Sequence, residues 1–370
     1  MNDNHGLDRR TFLKTAAGAC LAAGVARADD AGTATPDWRP SVRWRGFNLL
    51  GMFRAPTQGL APDPRVDGHF NAWEFEALHD WGFNFARLPL DYRILIRDDD
   101  WTKLDEAKMK RLDEAIAWGR QTGVHVQIAL HRIPGYCVLD RTEPFPLGTS
   151  EVAQEAACRM WAAMARRWRG VPNEALSFNL FNEPARHTGG KNYLPLARKL
   201  IAAIRAVDPT RFIMADGNGF ASTPVPELYA VPALGQAFRG YAPLVLTHYK
   251  TTYMDLPNDK PLTWPLAPGY GTGWQRVLPE EALAKMRPAL QAGEYCMIGE
   301  FGCHQKTPHN VVLAWMRHCL KLWKENDLGW ALWNLRGNFG ILDSGRTDVV
   351  YEDFHGHRLD RKMLDVLRAF

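Results

Sequence analysis

The feature that most constrains the fold of this chain is a regular alternation of short β-rich runs with longer helical segments, from Val42 almost to the C-terminus. Eight runs have strand character, at residues 43–48, 84–88, 124–129, 175–181, 211–215, 244–247, 295–299 and 329–333. Between them, apolar residues recur at the helical spacing of three and four, for example in 108–121, 151–168, 192–206, 279–291 and 310–324. This alternation predicts an α/β fold, and eight repeats without an intervening linker favour a single (β/α)8 TIM barrel.

An open, doubly wound sheet is the alternative topology. The chain has no G-x-G-x-x-G turn after its first strand-like run, which weakens that alternative. Three segments between predicted elements are unusually long, at residues 131–150, 247–278 and 335–358. Because active sites of such barrels are built from the segments that follow the strands, we expect long loops and the site at the C-terminal face of the strands.

The first 28 residues are expected to be an export signal rather than part of the fold. Asp8-Arg9-Arg10-Thr11-Phe12-Leu13-Lys14 precedes a mildly apolar stretch and the small-residue site Ala26-Arg27-Ala28, and this arrangement resembles a twin-arginine signal. Cleavage after Ala28 would leave residues 29–370 as a single catalytic barrel. No later stretch reaches the roughly 18 apolar residues of a membrane span, so a periplasmic or secreted protein without membrane contact is expected.

Charge and cysteine content narrow the function classes. Forty-five basic residues nearly balance 41 acidic ones, for a net charge of +4, so the basic footprint of a nucleic-acid binder is absent from the sequence. Five cysteines follow the signal, and none forms a C-x-x-C pair typical of zinc or redox sites. Most are expected to be buried free thiols, although a Cys296–Cys303 bridge stays open.

Two of the predicted strands lead into glutamates. Glu183 follows the fourth run in Asn182-Glu183-Pro184, and Glu300 follows the seventh in Gly299-Glu300-Phe301. A carboxylate in that position faces the barrel mouth, where it needs partners or a task because burial of an unpaired charge is costly. Cleavage of a glycosidic bond requires two carboxyl groups, one to protonate the leaving oxygen and one to attack or to activate water. Pairing of each glutamate with a barrel Arg or Lys is the structural alternative.

These motifs resemble the two catalytic signatures of glycoside hydrolase family 5, the cellulase-like retaining β-glycosidases of clan A. Further segments resemble the family's first, second, third and eighth strands, at residues 45–49, 86–89, 130–135 and 330–334. The resemblance implies Glu183 as acid/base and Glu300 as nucleophile. It also implies supporting or substrate-binding roles for Arg87, His131, Asn182 and Trp333, with the Arg87 guanidinium near Glu300 and Asn182 on a sugar 2-hydroxyl.

The sixth strand departs from the family pattern. The family has His and Tyr separated by one residue at this point, whereas Thr247-His248-Tyr249-Lys250 has them adjacent. We carry over His248 and Tyr249 as substrate-binding candidates, with Tyr253 as the rival for contact with the nucleophile. Because side chains alternate between faces along a strand, an adjacent Tyr249 need not point where the family tyrosine does.

Fourteen tryptophans are an unusual number for a soluble chain of this length. Trp264 and Trp274 lie in an aromatic, Pro/Gly-rich segment and are candidate platforms for the apolar faces of sugar rings. Loop packing is the alternative for each. His355-Gly356-His357 with Asp353 lacks the H-E-x-x-H helix or a spaced Cys/His set, so no metal site is predicted. No cofactor is predicted either, since two carboxylates suffice for the chemistry.

The sequence therefore predicts an exported, monomeric glycoside hydrolase that acts on a polysaccharide or oligosaccharide by double displacement. An endo-β-1,4-glucanase is the first choice of activity. A β-mannanase, another β-glucanase or an exo-acting β-glucosidase remain alternatives within the family. A non-catalytic carbohydrate-binding barrel is the distant alternative, disfavoured because both glutamates are present.

Overall fold

The computed structural model describes residues 37–55, 68–139, 143–257 and 261–370. The predicted export signal lies outside these residues. Within them, eight parallel strands close into a barrel in which each strand pairs with its neighbours in chain order, and the first pairs with the eighth. The predicted (β/α)8 barrel is thereby confirmed.

The barrel strands are Arg45–Asn48, Phe85–Asp91, His125–Arg132, Leu176–Asn179, Ile213–Asp216, Leu234–Gly240, Tyr295–Phe301 and Gly329–Leu332. Two small antiparallel sheets are formed by Ile96–Arg97 with Asp100–Leu104 and by Glu352–Phe354 with His357–Leu359. The longer helices are Ala72–Asp80, Glu106–Thr122, Glu151–Arg167, Tyr193–Arg205, Pro279–Gln291, His309–Glu325 and Arg361–Arg368. Shorter helical turns are Tyr92–Leu95, Arg186–Thr188, Gly190–Asn192, Asn218–Ala221, Pro226–Leu228, Leu244–Thr247 and Gly273–Arg276.

The prediction of the sixth strand was wrong. The predicted run 244–247 is a short helix that begins after Pro243, and the barrel strand is Leu234–Gly240. A short apolar run such as Leu-Val-Leu-Thr has no periodicity that separates a buried strand from a buried helix. The true strand contains two glycines, a glutamine and an arginine, and it has no β-branched residue and a single aromatic one, so its sequence is a weak strand signal. The other seven predicted runs overlap barrel strands.

Local sequence explains why the helices start and stop where they do. The Asp105 carboxylate accepts hydrogen bonds from the backbone N–H groups of Ala107 and Lys108, at 2.9 and 3.2 Å, and so caps helix Glu106–Thr122. The same helix ends at Gly123, whose φ of 71° is left-handed. These two caps fix where this helix begins and ends.

Aromatic rings fill the amino-terminal end of the barrel. The Trp44 ring stacks on His125 at 4.1 Å and on Phe85 at 4.9 Å between ring centroids. Phe212 and Tyr295 meet the same indole edge-on. We call these five residues the barrel floor. His125 is satisfied by the Glu174 carbonyl and the Ser177 hydroxyl, and burial lowers its pKa to about 3, so the floor is uncharged at neutral pH.

The cysteines are not bridged within the described residues. Cys137, Cys296, Cys303 and Cys319 are buried free thiols, and Cys158 is partly buried. The open question of a Cys296–Cys303 bridge is therefore answered by two separate thiols. Among the helices of the described residues, none is long and apolar enough to cross a membrane.

Candidate active site

Polar side chains gather at the carboxyl-terminal end of the barrel, which we call the mouth. All eight barrel strands, or the residues that directly follow them, contribute to it. In chain order the contributing residues are Asn48, Arg87, His131, Asn179, Asn182, Glu183, Asp216, Arg239, Tyr241, Glu300 and Trp333. Because the carboxyl ends of parallel strands meet at one edge, residues as far apart in sequence as Asn48 and Trp333 belong to one site.

Glu300 lies at the centre of the mouth and is 3% exposed. Its Oε1 atom is 2.7 Å from Arg87 Nη1 and 3.3 Å from Arg239 Nη2. Its Oε2 atom accepts a hydrogen bond of 3.2 Å from the Tyr241 hydroxyl. Two guanidinium groups thus balance the charge that Glu300 brings into the barrel, and both of its oxygens have donors.

Arg87 is fully buried and held on every side. Besides Glu300, its guanidinium donates to Asn48 Oδ1 at 2.9 Å, to Asn179 Oδ1 at 3.0 and 3.1 Å, and to Asn182 Oδ1 at 3.0 Å. Asn48 is fixed in turn by the carbonyls of Gly299 and Leu332. A rigid fork of this kind holds the Glu300 carboxylate in one orientation.

Glu183 has an unusual backbone. Its φ of 50° is left-handed, a region that costs a residue with a Cβ atom about 1–3 kcal/mol. Three contacts hold it there: its N–H donates to Asp216 Oδ2 at 2.8 Å, its carbonyl accepts from the Tyr136 hydroxyl at 2.7 Å, and its Oε1 accepts from Arg239 Nε at 2.8 Å. The carboxyl group is thereby aimed into the mouth opposite Glu300.

The electrostatics of Glu183 differ from those of an exposed glutamate. Burial raises its pKa, and the charges of Glu300 and Asp216 raise it further, while Arg239 lowers it. The net pKa is about 7. A carboxyl group in this state is poised to give a proton near neutral pH and to take one back.

Arg239 and Asp216 were not among the sequence candidates. Arg239 also donates to Asn182 Oδ1 at 2.7 Å and forms a close ion pair with Asp216, and Asp216 accepts from Asn179 Nδ2 at 3.0 Å. Burial opposes the charge of Arg239, but Asp216, Glu300 and Glu183 together raise its pKa above the ordinary value. Asp216 had a signal in the sequence, because it ends a buried strand in a carboxylate just as Glu300 does.

Tyr241 is the tyrosine that contacts Glu300. The prediction that Tyr249 or Tyr253 contacts the nucleophile was therefore wrong. Tyr241 follows the true sixth strand in Arg239-Gly240-Tyr241, which has the one-residue spacing of the family pattern with arginine in place of histidine. His248 instead lies beside the Tyr241 and Phe339 rings, and burial lowers its pKa to about 3.

The other two tyrosines differ in burial, and Tyr249 lies in the core with 8% of its surface exposed. Tyr249 carries the Lys250 ammonium 5.0 Å from its ring centroid. Tyr253 is 52% exposed and meets His248 edge-on at 6.0 Å. Partial burial raises the pKa of Tyr253 above its ordinary value, and the charge of Glu183 adds to this. Tyr253 is therefore a rim residue within electrostatic reach of Glu183.

His131 and Trp333 form one wall of the mouth. Their rings stack at 5.3 Å, and Phe53 packs edge-on against both. His131 Nδ1 is 3.9 Å from Glu300 Oε1. Burial and the neighbouring Arg132, Arg87 and Arg239 hold the pKa of His131 well below its usual range, so this wall presents a neutral imidazole.

Asn182 has a spare donor. Its Oδ1 accepts from both guanidinium groups, and its buried Nδ2 has no hydrogen-bond partner among the described residues. An unpaired buried amide beside two carboxylates is suited to donate to a hydroxyl of a ligand.

The two loop tryptophans are not equivalent. Trp264 meets His318 edge-on at 5.4 Å and packs against the core. Trp274 is 59% exposed.

His357 belongs to the His355-Gly356-His357 segment, which was considered above as a metal site. Its ring stacks on Trp73 and pairs with Asp343 at 2.7 Å. The described residues contain no cluster of three or more groups able to hold a metal.

Comparison with known proteins adds to this geometry. A family model described as cellulase, glycosyl hydrolase family 5, matches residues 74–339. Endoglucanase C from Acetivibrio thermocellus is 24% identical over 77% of this chain and 90% of its own length. A crystal structure described as a glycoside hydrolase is 31% identical, with a TM-score of 0.78 over 89% of this chain and 99% of that one. Endoglucanase Cel5A from Thermotoga maritima shares the fold, with a TM-score of 0.68 at 20% identity over 88% of this chain and 96% of that one.

Proposed function

Because the chain belongs to glycosyl hydrolase family 5, we propose that it is an endo-acting β-1,4-glucanase in which Glu300 is the nucleophile and Glu183 the acid/base. The observation that carries this proposal is that one guanidinium, that of Arg239, contacts both carboxylates at the barrel mouth. Contact of both carboxylates with one guanidinium, at 2.8 and 3.3 Å, supports retention, since retaining enzymes place the two carboxyl groups about 5–5.5 Å apart and inverting enzymes leave room for a water molecule.

In the first step, a Glu300 oxygen attacks the anomeric carbon while the bond to the leaving oxygen breaks. The proton on Glu183 moves to that oxygen, so the product leaves as a neutral alcohol. Arg87 and Tyr241 hold Glu300 in line for the attack. The raised pKa of Glu183 supports its part, because a carboxyl group must still carry its proton near neutral pH to donate it.

In the second step, water attacks the anomeric carbon and gives a proton to Glu183 as the bond to Glu300 breaks. Glu300 carries no charge while it is esterified. Since the Glu300 charge is one of the causes that raise the pKa of Glu183, that pKa falls in the intermediate, and Glu183 is ready to act as a base.

The walls of the mouth supply the sugar contacts. The spare Asn182 Nδ2 donates to the 2-hydroxyl of the sugar that is attacked, an interaction that strengthens in the transition state. Trp333 offers an indole, backed by Phe53, to the apolar face of that sugar. Neutral His131 exchanges hydrogen bonds with its hydroxyls.

The choice of β-1,4-glucan is supported by the relatives named endoglucanase, from Acetivibrio thermocellus and from Fibrobacter succinogenes. The test is a panel of carboxymethylcellulose, mannan, laminarin and aryl β-cellobioside, with Glu300→Gln as the blank. We expect carboxymethylcellulose to lose viscosity faster than it gains reducing ends, which marks endo cleavage. Faster hydrolysis of mannan or laminarin would contradict the glucan assignment.

Proton NMR of the first product tests the mechanism. Retention gives the β-anomer before mutarotation, whereas an initial α-anomer would contradict double displacement.

Substrates with different leaving groups distinguish the roles of the two glutamates. Glu183→Ala should spare kcat/KM on activated aryl glycosides, whose first step needs little acid assistance, and should lose most activity on polysaccharide. Equal losses on both substrates would remove Glu183 from the acid/base role.

We also propose that the protein is exported by the twin-arginine route and acts in the periplasm or outside the cell. The supporting residues are Arg9 and Arg10 with the site at Ala28. In a native host, N-terminal sequencing of the exported protein should begin at Asp29, and the paired change of Arg9 and Arg10 to Lys should block export. A chain beginning at Met1 outside the cytoplasm would contradict this route.

A further inference from the structure

The backbone of Glu183 requires support that its own sequence does not provide. A left-handed φ places the Cβ atom of a glutamate in an unfavourable position, and such residues persist only where their surroundings over-determine them. The N–H of Glu183 donates to Asp216 Oδ2, and its carbonyl accepts from Tyr136. Asp216 therefore holds the backbone of Glu183 from the neighbouring fifth strand.

The carboxylate of Glu183 is held by the partner of that same aspartate. Arg239 Nε donates to Glu183 Oε1 at 2.8 Å, and Arg239 Nη2 pairs with Asp216 Oδ2. The contacts form a closed ring that runs from the Glu183 N–H through Asp216 and Arg239 back to the Glu183 carboxylate. Both the main chain and the side chain of one residue are thus fixed by one ion pair.

The ion pair is itself rigid. Asp216 is fully buried, and its Oδ1 accepts from Asn179 Nδ2 at 3.0 Å. Arg239 donates to Asn182 Oδ1 at 2.7 Å and to the Phe238 carbonyl at 3.3 Å. Asn179, Asp216, Phe238 and Arg239 lie on the fourth, fifth and sixth strands, and Asn182 follows the fourth, so the ion pair is anchored mainly in the barrel strands.

We infer that Asp216 and Arg239 are a positioning pair, which orients Glu183 toward the leaving oxygen and keeps it there through both steps of the reaction. The inference rests on the proposed function, in which Glu183 is the acid/base. Arg239 donates hydrogen bonds and transfers no proton: the proton passes from Glu183 to the leaving oxygen, and later from water to Glu183. Because arginine stays charged at all working pH values, the support does not vary with pH.

The pair also affects the pKa of Glu183, and this effect can be measured. The ionisable groups that act on Glu183 or are acted on by it come from several strands and loops; they are Arg239, Glu300, Asp216, Tyr136, Tyr241 and Tyr253. Arg239 lowers the pKa of Glu183 and Asp216 raises it. Loss of the two members should therefore shift the alkaline limb of kcat/KM in opposite directions.

The test compares Arg239→Gln, Arg239→Lys and Asp216→Asn with a matched control. The control is Arg211→Gln, because Arg211 and Asp208 form a buried ion pair of 2.8 Å beside the start of the fifth strand, away from the mouth. Each variant is assayed over pH on aryl cellobiosides whose leaving groups range from activated to poor.

We expect Arg239→Gln to lose about 10²-fold in kcat/KM, which reports the first step, on poor leaving groups and less on activated ones, with an alkaline limb at higher pH. Asp216→Asn should move that limb to lower pH, and Arg239→Lys should recover part of the rate. Arg211→Gln should lose stability without any change in leaving-group dependence. Uniform losses over all leaving groups, together with unshifted pH profiles, would overturn the positioning pair.

The proposed function and this inference fail in different ways. A wild-type protein that cleaves no β-glycoside contradicts the proposed function alone. Carbon-13 NMR of the Glu183 carboxyl group then tests the pair without activity: its titration should move up in Arg239→Gln and down in Asp216→Asn. An unchanged titration in both variants overturns the inference. If Arg239→Gln does not fold, the downward titration shift in Asp216→Asn and the partial loss of rate in Arg239→Lys test the pair.

Discussion

The two ends of the barrel use the same strands for opposite purposes. At the floor, Trp44 precedes the first strand, and Tyr295 begins the seventh. A few residues further along those strands, the mouth has Asn48 and Glu300. The floor is aromatic and uncharged, whereas the mouth buries three carboxylates and two guanidinium groups. Burial of charge is costly, so the comparison indicates that the floor stabilises the fold and that the mouth is built for chemistry at some expense of stability.

The largest expected effect is the loss of activity in Glu300→Gln. Without the nucleophile, the first step has no route, and kcat should fall by about 10⁴-fold or more on every substrate. Steady-state assays on carboxymethylcellulose and aryl cellobioside measure it, and Met297→Leu at the floor end of the same strand is the control. A residual rate above one hundredth of the wild-type rate would break the assignment of chemistry to the mouth.

The next effect belongs to the floor. Trp44→Ala removes a buried indole that contacts four other rings and should lower the free energy of unfolding by about 3–5 kcal/mol, measured in urea. The kcat of the folded fraction should not change. If the variant does not fold, Phe212→Leu provides a milder change of the same kind. A folded floor variant with an altered kcat would show that the two ends are not independent.

The third effect is a gain in the free energy of unfolding when Glu183 at the mouth is replaced by Gln. Because the pKa of Glu183 is raised from 4.5 to about 7, the folded state keeps a proton that the unfolded state releases between these pH values. Stability is therefore lost as pH rises through this window, by about 3 kcal/mol above it. Glu183→Gln cannot ionise, so it should be more stable than wild type by about 2–3 kcal/mol at pH 8 and equal to it at pH 4.

Thermal unfolding at both pH values measures this gain, and Glu174→Gln at the floor side serves as the exposed-carboxylate control. A Glu183→Gln variant with the same advantage at pH 4 as at pH 8 would mean that ionisation is not its cause. No advantage at either pH would mean that the mouth does not reduce the stability of the fold.

Some residues of the site could be predicted from the sequence, and others could not. Glu300 was placed at the mouth because it follows a predicted buried strand, whereas Arg87 was identified through the resemblance to the family. Arg239 and Tyr241 were missed because their strand carries two glycines, and the apolar run 244–247 took its place. The ring of contacts among Glu183, Asp216 and Arg239 could not be predicted. It depends on the left-handed backbone at Glu183, and a glutamate in a sequence does not indicate such a backbone.

The smallest effect concerns how far sugar binding extends beyond the mouth. Trp274 is an exposed ring on the loop that follows the sixth strand, whereas Trp264 on the same loop is packed against His318. If the exposed ring stacks on a distant glucose unit, Trp274→Ala should raise KM for long glucan a few-fold, about 1 kcal/mol, and leave aryl cellobioside unchanged. Trp264→Ala should instead lower the melting temperature. Equal effects of both variants on KM would mean that the loop acts through its overall packing. Sugar binding would then be confined to the carboxylates and the His131–Trp333 wall of the mouth.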